Sequence, residues 1–182
     1  MPYSYMKARL SKSRFVAGVQ CLKRLYWQVH EPESAAAPSE SLAAIFEQGH
    51  KVGRLACTAF PGGKEIAYNR KDLSAAVRQT REQIAAPDVP AIFEATFEHD
   101  NVLVRVDILQ RLDQNKWRLI EVKSTTGVRE HHILDVAIQK YVVLGYGIDV
   151  GEVALMHLNR GYVYKGGEYN IDELFRIVDL TE

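Results

Sequence analysis

The chain is poor in the residues that mark secreted, membrane-spanning or zinc-knuckle proteins. Of its 182 residues only two are cysteines, Cys21 and Cys57, too few and too far apart for a disulfide framework or a local zinc knuckle. No run of about 18 apolar residues occurs, so we expect no membrane span. The N-terminus also lacks the apolar stretch of a secretory signal. Together these absences predict a protein of the reducing cytoplasm.

The composition is that of a globular protein. Hydrophobic residues make up 47% of the chain and charged residues 25%, which are ordinary values. At this length we expect one domain, residues 1–182, whose core needs no disulfide or structural metal. Because the chain ends just after a predicted helix, it can also be a piece of a longer protein with a further domain or a protein partner.

Acidic residues are missing from one end of the chain, although the net charge is zero. The first 30 residues carry only basic charges, at Lys7, Arg9, Lys12, Arg14, Lys23 and Arg24. A basic end on a neutral protein is typical of a local phosphate-binding surface, so we expect Lys12, Arg14 and Arg24 to contact a DNA backbone. A solvated face of an amphipathic helix would give the same pattern.

Hydrophobic periodicity and turn residues give an α/β pattern. The predicted helices run from Ser11 or Ser13 through Tyr26, from Ser39 or Ser41 to Ala59, and over 73–85, 129–146 and 172–178. The predicted strands cover 92–98, 102–111, 117–124 and 151–158, with two short ones at 66–68 and 162–164. A helix between strands 117–124 and 151–158 favours a parallel crossover. We therefore predict a central mixed sheet flanked by helices.

Charged residues interrupt two of the apolar strands. Asp107 lies in strand 102–111, and Glu121 and Lys123 lie at the end of strand 117–124. Side chains alternate along a strand, so Glu121 and Lys123 share a face, and in a hairpin Asp107 can join them. Two carboxylates on a buried sheet are costly unless something binds them, and Mg²⁺ and Mn²⁺ favour such oxygens. The alternative is a pair of edge-strand carboxylates that face water.

The order Asp, then Glu-x-Lys, resembles the active site of the PD-(D/E)XK nuclease superfamily. Flanking motifs are similar to its RecB-like branch, which includes the CRISPR-adaptation exonucleases. These motifs are the segments 10–15 and 21–27, the Gln48-Gly49-His50-Lys51-Val52-Gly53 run, Glu94 in Ile92-Phe93-Glu94-Ala95, and Gln139 in Ile138-Gln139-Lys140-Tyr141. The resemblance spans about residues 10–160, and the order and spacing of the motifs carry more weight than any one of them.

The resemblance implies a restriction-endonuclease-like core and a metal-dependent deoxyribonuclease, with exonuclease-like action on single- or double-stranded DNA. It implies that Mg²⁺ or Mn²⁺ is held by His50, Asp107, Glu121 and the backbone carbonyl of Val122. Asp107, Glu121 and Lys123 would be the catalytic residues, with the Lys123 ammonium stabilising charge on the phosphoryl oxygens. From its residue type alone, a lone helical histidine such as His50 is more often a packing or surface residue.

Three other residues are candidates for the surroundings of the site. Glu94 would hold a metal-bound water or pair with a base, and Gln139 would approach from a helix to bind phosphate or orient water. The usual tyrosine four residues after the glutamine is absent, because position 143 is valine, and Tyr141 is the nearest substitute.

The two cysteines bear on whether the chain can hold an iron–sulfur cluster. An iron–sulfur cluster needs four ligands, so this chain alone is not expected to hold one, and we expect Cys21 to be a small buried residue.

Two alternatives to a nuclease stay open: a catalytically inactive nuclease-fold module that binds nucleic acid, and a protein-interaction domain.

Overall fold

The computed structural model describes residues 9–69 and 72–182. Its helices are α1 (Lys12–Gln20), α2 (Leu22–His30), α3 (Glu40–Cys57), α4 (Leu73–Ala85), α5 (Glu130–Gly145) and α6 (Ile171–Leu174), with a 3-10 turn at Pro32–Ser34. Its strands are β1 (Leu10–Ser11), β2 (Lys64–Glu65), β3 (Ala91–His99), β4 (Val102–Arg111), β5 (Lys116–Lys123), β6 (Asp149–Leu158) and β7 (Phe175–Asp179). Within the described ranges, no helix has the length and apolar character needed to cross a membrane.

The strands form one seven-stranded mixed sheet. The order is β2-β3-β4-β5-β6-β7, and β1 pairs additionally with β4. Strands β3, β4 and β5 are an antiparallel meander, whereas β5 and β6 are parallel and are connected through α5. The predicted class, an α/β protein with a central mixed sheet flanked by helices, is confirmed, and it is consistent with a restriction-endonuclease-like core.

Helices cover the sheet on two sides and create two hydrophobic cores. Against the first core pack α4 and α5, through residues that include Ala76, Val136, Val142 and Val143. The second core receives α3 through Val52 and Ala56. Because α3 has buried residues only in its C-terminal half, its N-terminal half projects into solvent.

Two predicted helices differ from the observed elements. The N-terminal helix is two helices, because Cys21 adopts an extended conformation between α1 and α2 (φ −166°, ψ 116°). Cys21 is exposed there, so its predicted burial is wrong. The predicted final helix at 172–178 is only the short α6, after which β7 pairs antiparallel with β6. The apolar residues there have helical spacing, but the backbone hydrogen bonds available at the edge of the sheet favour a strand.

The two predicted short strands also differ. The strand near residue 66 lies slightly earlier, as β2, where Lys64 and Glu65 pair with β3. Residues 162–164 have no strand assignment in the structure. The longer predicted strands and the helices α3, α4 and α5 agree with the observed elements to within a few residues.

The alternation of side chains changes phase in the middle of the sheet. Val106 and Leu109 of β4 both pack in the first core, while Ile108 between them packs in the second. On β3, the neighbouring residue Glu94 has a left-handed backbone, with φ 58°. The β3–β4 ladder pairs residues on both sides of Glu94 and Asp107 but skips these two. Such irregularities re-aim side chains, and here they affect two acidic residues.

The strands β4 and β5 separate next to this irregularity. Their ladder ends at the pair Ile108 and Ile120. Earlier along β4, the place beside the strand is taken by β1, which pairs with residues 102 and 103. We call the gap between β4 and β5, bordered by Asp107 and Glu121, the strand fork. Because β1 leads directly into α1, the first residue of α1, Lys12, lies at this fork.

Candidate functional site

Glu121 lies at the centre of the strand fork. The residue is only 1% exposed, yet both of its oxygens accept hydrogen bonds from Lys12 Nζ at 2.9 Å. Lys123 Nζ is 2.7 Å from Glu121 Oε1, and Gln139 Nε2 donates to Oε2 at 2.7 Å. The buried carboxylate is therefore neutralised by two ammonium groups and oriented by an amide.

Lys12 reaches Glu121 because of how its helix begins. Ser11 caps α1 by accepting a hydrogen bond from the backbone N–H of Arg14, which fixes the first turn. The preceding residues pair with β4, so the start of α1 is anchored to the sheet beside the strand fork. Lys12 was predicted to contact DNA, but its ammonium is instead paired with a buried carboxylate, and its side chain is 25% exposed.

Asp107 closes the other side of the strand fork. Its Oδ2 accepts a hydrogen bond from the backbone N–H of Val122 at 2.7 Å, in the place where a backbone partner from β4 would otherwise lie. Burial and the neighbouring Glu121 carboxylate raise the pKa of Asp107 to about 7, although the Lys12 ammonium and the Val122 N–H oppose this. The convergence of Asp107 and Glu121 thus depends on strand separation as well as on alternation.

The pKa values of the two carboxyl groups are shifted in opposite directions. Burial alone would raise the pKa of Glu121, but the charges of Lys12 and Lys123 prevail and hold it at about 2. The same attraction raises the pKa of both lysines against the effect of their burial. The ammonium partners thus lower the pKa of Glu121, whereas burial and the Glu121 charge raise the pKa of Asp107.

A pH dependence of stability follows for the metal-free protein. The pKa of Asp107 is raised from 3.8 to about 7, so its contribution to stability is complete below about pH 4 and is lost as the pH rises to about 7. We expect the free energy of unfolding of the wild type, minus that of Asp107→Asn, to fall across this window. Urea denaturation in EDTA at several pH values measures it, and a flat difference would contradict the raised pKa.

Helix α5 positions two side chains at the strand fork: its residue Asp135 holds Lys123, and its residue Gln139 contacts Glu121. Lys123 Nζ donates to Asp135 Oδ2 at 2.5 Å, and Gln139 lies one helical turn later on the same face, donating also to the Asp135 carbonyl. Among the described residues, Gln139 Oε1 is buried without a hydrogen-bond partner. An unpaired buried acceptor is costly, so it marks a position where a donor such as a water can bind.

Two of these side chains were not anticipated in their observed roles. The local charge pattern predicted that Lys12 contacts DNA, and it predicted no role for Asp135. The signal for Asp135 was available, because a residue four positions before Gln139 lies on the same helical face. The contact of Lys12 with Glu121 joins residues 109 positions apart, and nothing in the local pattern indicates it.

His50 does not join the carboxylates in this structure. Its side chain is exposed on α3, and the part of the chain that is described contains no group of three His, Cys, Asp or Glu side chains able to hold a metal. The predicted convergence of His50 with Asp107 and Glu121 is therefore not met. The physical reason is that α3 is anchored through Val52 and Ala56, while His50 belongs to another side of the helix.

Glu94 pairs with a base close to the strand fork, whereas Tyr141 pairs with an acid away from it. Glu94 pairs with Arg105 at 2.8 Å, and burial raises the pKa of Glu94 despite this cation. It therefore takes the salt-bridge role that the sequence left open. Tyr141 donates its hydroxyl hydrogen to Asp100 Oδ2 at 2.5 Å, near the β3–β4 turn, so the prediction that it approaches the site is wrong.

The remaining basic residues split into structural and exposed ones. Arg14 donates to the backbone carbonyls of Arg9 and Gln28, at 3.0 and 3.4 Å, and so ties α1 to α2. Arg24 is exposed, with one hydrogen bond to Gln20. Lys7 lies outside the described residues. Of the three predicted DNA contacts, only Arg24 presents an exposed guanidinium.

The donor set of the strand fork suits a hard divalent cation. Asp107 and Glu121 offer carboxylate oxygens of the kind that Mg²⁺ and Mn²⁺ prefer, and the Lys12 ammonium shows that a cation is stable against Glu121. The side chain of Val122 packs in the second core. Its backbone carbonyl stays a predicted ligand, whereas His50 is exposed on α3.

Comparison with known proteins adds little. No protein-family model and no curated protein matches this sequence. A solved structure described as "Crystal structure of SSO0001" is similar, with a TM-score of 0.42 and 13% sequence identity. The match covers 97% of this chain and 68% of that one. A likeness this low carries no argument about function, which must rest on the side chains of the strand fork.

Proposed function

We propose that this protein is a divalent-metal-dependent deoxyribonuclease that hydrolyses phosphodiester bonds, with exonuclease-like action. One observation carries the proposal: where β4 and β5 separate, Asp107 accepts a hydrogen bond from the backbone of Val122, and the residues on either side of Val122, Glu121 and Lys123, form an ion pair. A fold needs no such cluster for stability, since apolar residues of similar volume serve a core as well as a buried ion pair does. Two carboxylates can hold a divalent ion, and a fixed ammonium can stabilise the negative charge that develops during phosphodiester hydrolysis.

Each residue at the strand fork would have a separate task. Asp107 and Glu121 would hold the cation, which when bound polarises a phosphate and lowers the pKa of water. Lys123, fixed between Glu121 and Asp135, would stabilise the negative charge that develops on the phosphoryl oxygens. Gln139 keeps the Glu121 carboxylate oriented, and its free amide oxygen can accept a hydrogen bond from water.

A cleft of about 320 Å³ would bring a phosphate backbone to Lys123, the member of the cluster that lines it. Its walls are Lys12, Ser13, Val16, Ala17, Gln20, Arg24, Lys123 and Asp135. Arg24 also borders a larger cavity of about 610 Å³ beside α2, together with Trp27. A strand of DNA lying along α1 and α2 would therefore pass Arg24 before it reaches Lys123.

The proposal is tested by cleavage of labelled DNA. Purified protein is incubated with single- and double-stranded substrates in Mg²⁺, Mn²⁺ or EDTA. We expect products only with a divalent ion, and the spread of product lengths separates exonuclease from endonuclease action. Intact DNA under all conditions would reject a deoxyribonuclease. A cytoplasmic setting and additional protein partners are part of the same proposal.

A second candidate is a nuclease-fold module that binds nucleic acid without cutting it. The saturation of Glu121 favours this alternative, because Lys12, Lys123 and Gln139 already satisfy its oxygens. In such a module the cluster would be a structural ion-pair network. DNA binding without cleavage, and without a change on adding Mn²⁺, would support the module over the enzyme.

The exposed base beside the cleft yields a prediction for DNA binding. Arg24→Gln is expected to weaken DNA affinity and to flatten its salt dependence by about 0.7–0.9 log units per log of salt, because one phosphate contact is lost. Filter binding or fluorescence anisotropy at several salt concentrations measures both quantities.

Arg81→Gln is the matched control for Arg24→Gln. Arg81 is also exposed, but on α4, away from the cleft. Equal salt slopes for the wild type and Arg24→Gln would place the substrate path elsewhere.

A further inference from the structure

The position of Lys12 raises a question that the proposed reaction does not answer. Its ammonium is bidentate on Glu121, 2.9 Å from each oxygen, and its charge also acts on Asp107 and Asp135. A divalent cation bound to Glu121 would need these same oxygens. Lys12 and Lys123 already place two ammonium groups against this carboxylate, so a divalent ion added to both would be strongly repelled.

We propose that the Lys12 ammonium is a built-in counter-ion of the strand fork, which a divalent metal must displace from Glu121 before it can bind. Lys12 is then a positioning residue that sets how readily the site takes up metal. The inference rests on the proposed function, since it assumes that Glu121 is a metal ligand.

The surroundings of Lys12 allow this displacement. The helix start is held by the Ser11 cap and by the pairing of β1 with β4, so the backbone can stay in place while the side chain moves. A lysine side chain is a flexible four-carbon chain. Lys12 itself lines the cleft beside the fork, where its ammonium would meet solvent or an entering phosphate. Lys123 is held differently, because it has Asp135 as a second partner.

The competition would couple metal binding to the departure of Lys12. Coupling between two ligands of one protein typically changes affinity by about 5- to 150-fold. Removing the Lys12 ammonium should therefore raise metal affinity, whereas removing a positive charge elsewhere on the surface should not. This is opposite to the effect expected for a residue that assists metal binding.

The test is a Mn²⁺ titration without DNA, followed by calorimetry or by the free-Mn²⁺ electron paramagnetic resonance signal. Lys12→Met is expected to bind Mn²⁺ at least about tenfold more tightly than the wild type. Lys12→Arg, which keeps the charge, should stay near the wild type. Lys116→Met, at an exposed lysine at the opposite end of β5 from Lys123, is the matched control.

The outcomes separate this inference from the proposed function. Equal or weaker Mn²⁺ affinity of Lys12→Met, in a protein that cleaves DNA, would overturn the role of Lys12 alone. Absence of Mn²⁺ binding in every variant would overturn both proposals. A second measurement needs no variant: in the wild type, saturating Mg²⁺ should increase the acylation rate of the Lys12 amine relative to Lys116, and an unchanged ratio would overturn the displacement.

Discussion

Replacing Asp107 with asparagine is expected to reduce metal-dependent DNA cleavage by roughly 10³-fold or more. The side chain keeps its shape and an oxygen near the Val122 N–H, but it loses the negative charge that a divalent ion needs. Loss of a single preorganised contact already costs about 10²–10³ in rate, and the loss of the ion removes more than one. Single-turnover cleavage of a labelled oligonucleotide in saturating Mn²⁺ is the measurement.

Asp88→Asn is the control for this substitution. Asp88 is exposed in the loop before β3, so it loses the same charge without touching the strand fork. We expect its cleavage rate to match the wild type. If Asp107→Asn cleaves DNA as fast as Asp88→Asn, the activity belongs to another site or to a contaminant.

Replacing Glu121 with alanine is expected to destabilise the metal-free protein by about 3 kcal/mol, near the lower end of the range for breaking a buried ion pair. Lys12 would lose the partner of its ammonium, whereas Lys123 would keep Asp135. The value lies at the lower end because the Lys12 side chain is 25% exposed. Urea denaturation in EDTA gives the change in the free energy of unfolding.

Two further variants identify the cause of that loss. Adding Lys12→Met to Glu121→Ala should recover much of the stability, because it removes the unpaired charge. Glu94→Ala breaks a more exposed pair with Arg105, with side chains 36% and 31% exposed, and should cost at most about 1 kcal/mol. If Glu121→Ala were as mild as Glu94→Ala, the cluster at the strand fork would contribute little to folding. Cleavage assays of Glu121 variants must therefore be accompanied by a stability measurement.

The sequence by itself determined the class of the fold and much of its order. Strong periodicities predicted α3, α4, α5 and the strands β3 to β6, because packing against one core imposes a period that local composition reveals. The spacing of Asp107, Glu121 and Lys123 on adjacent strands predicted a shared site, and the structure pairs Lys123 with Glu121 and Asp107 with the Val122 backbone between them. Gln139 was expected beside them from its place on the following helix, and it does contact Glu121.

The tertiary structure decided which cation neutralises the buried carboxylate. Lys12 reaches Glu121 only because β1 fills the space that opens where β4 and β5 separate. Pairing with β6 converts most of the predicted C-terminal helix into β7, and the anchoring of α3 leaves His50 exposed. Local patterns describe how a side chain points from its own element. The electrostatic partner of a buried charge depends on which distant elements share the space around it, and that is fixed only when the whole sheet is assembled.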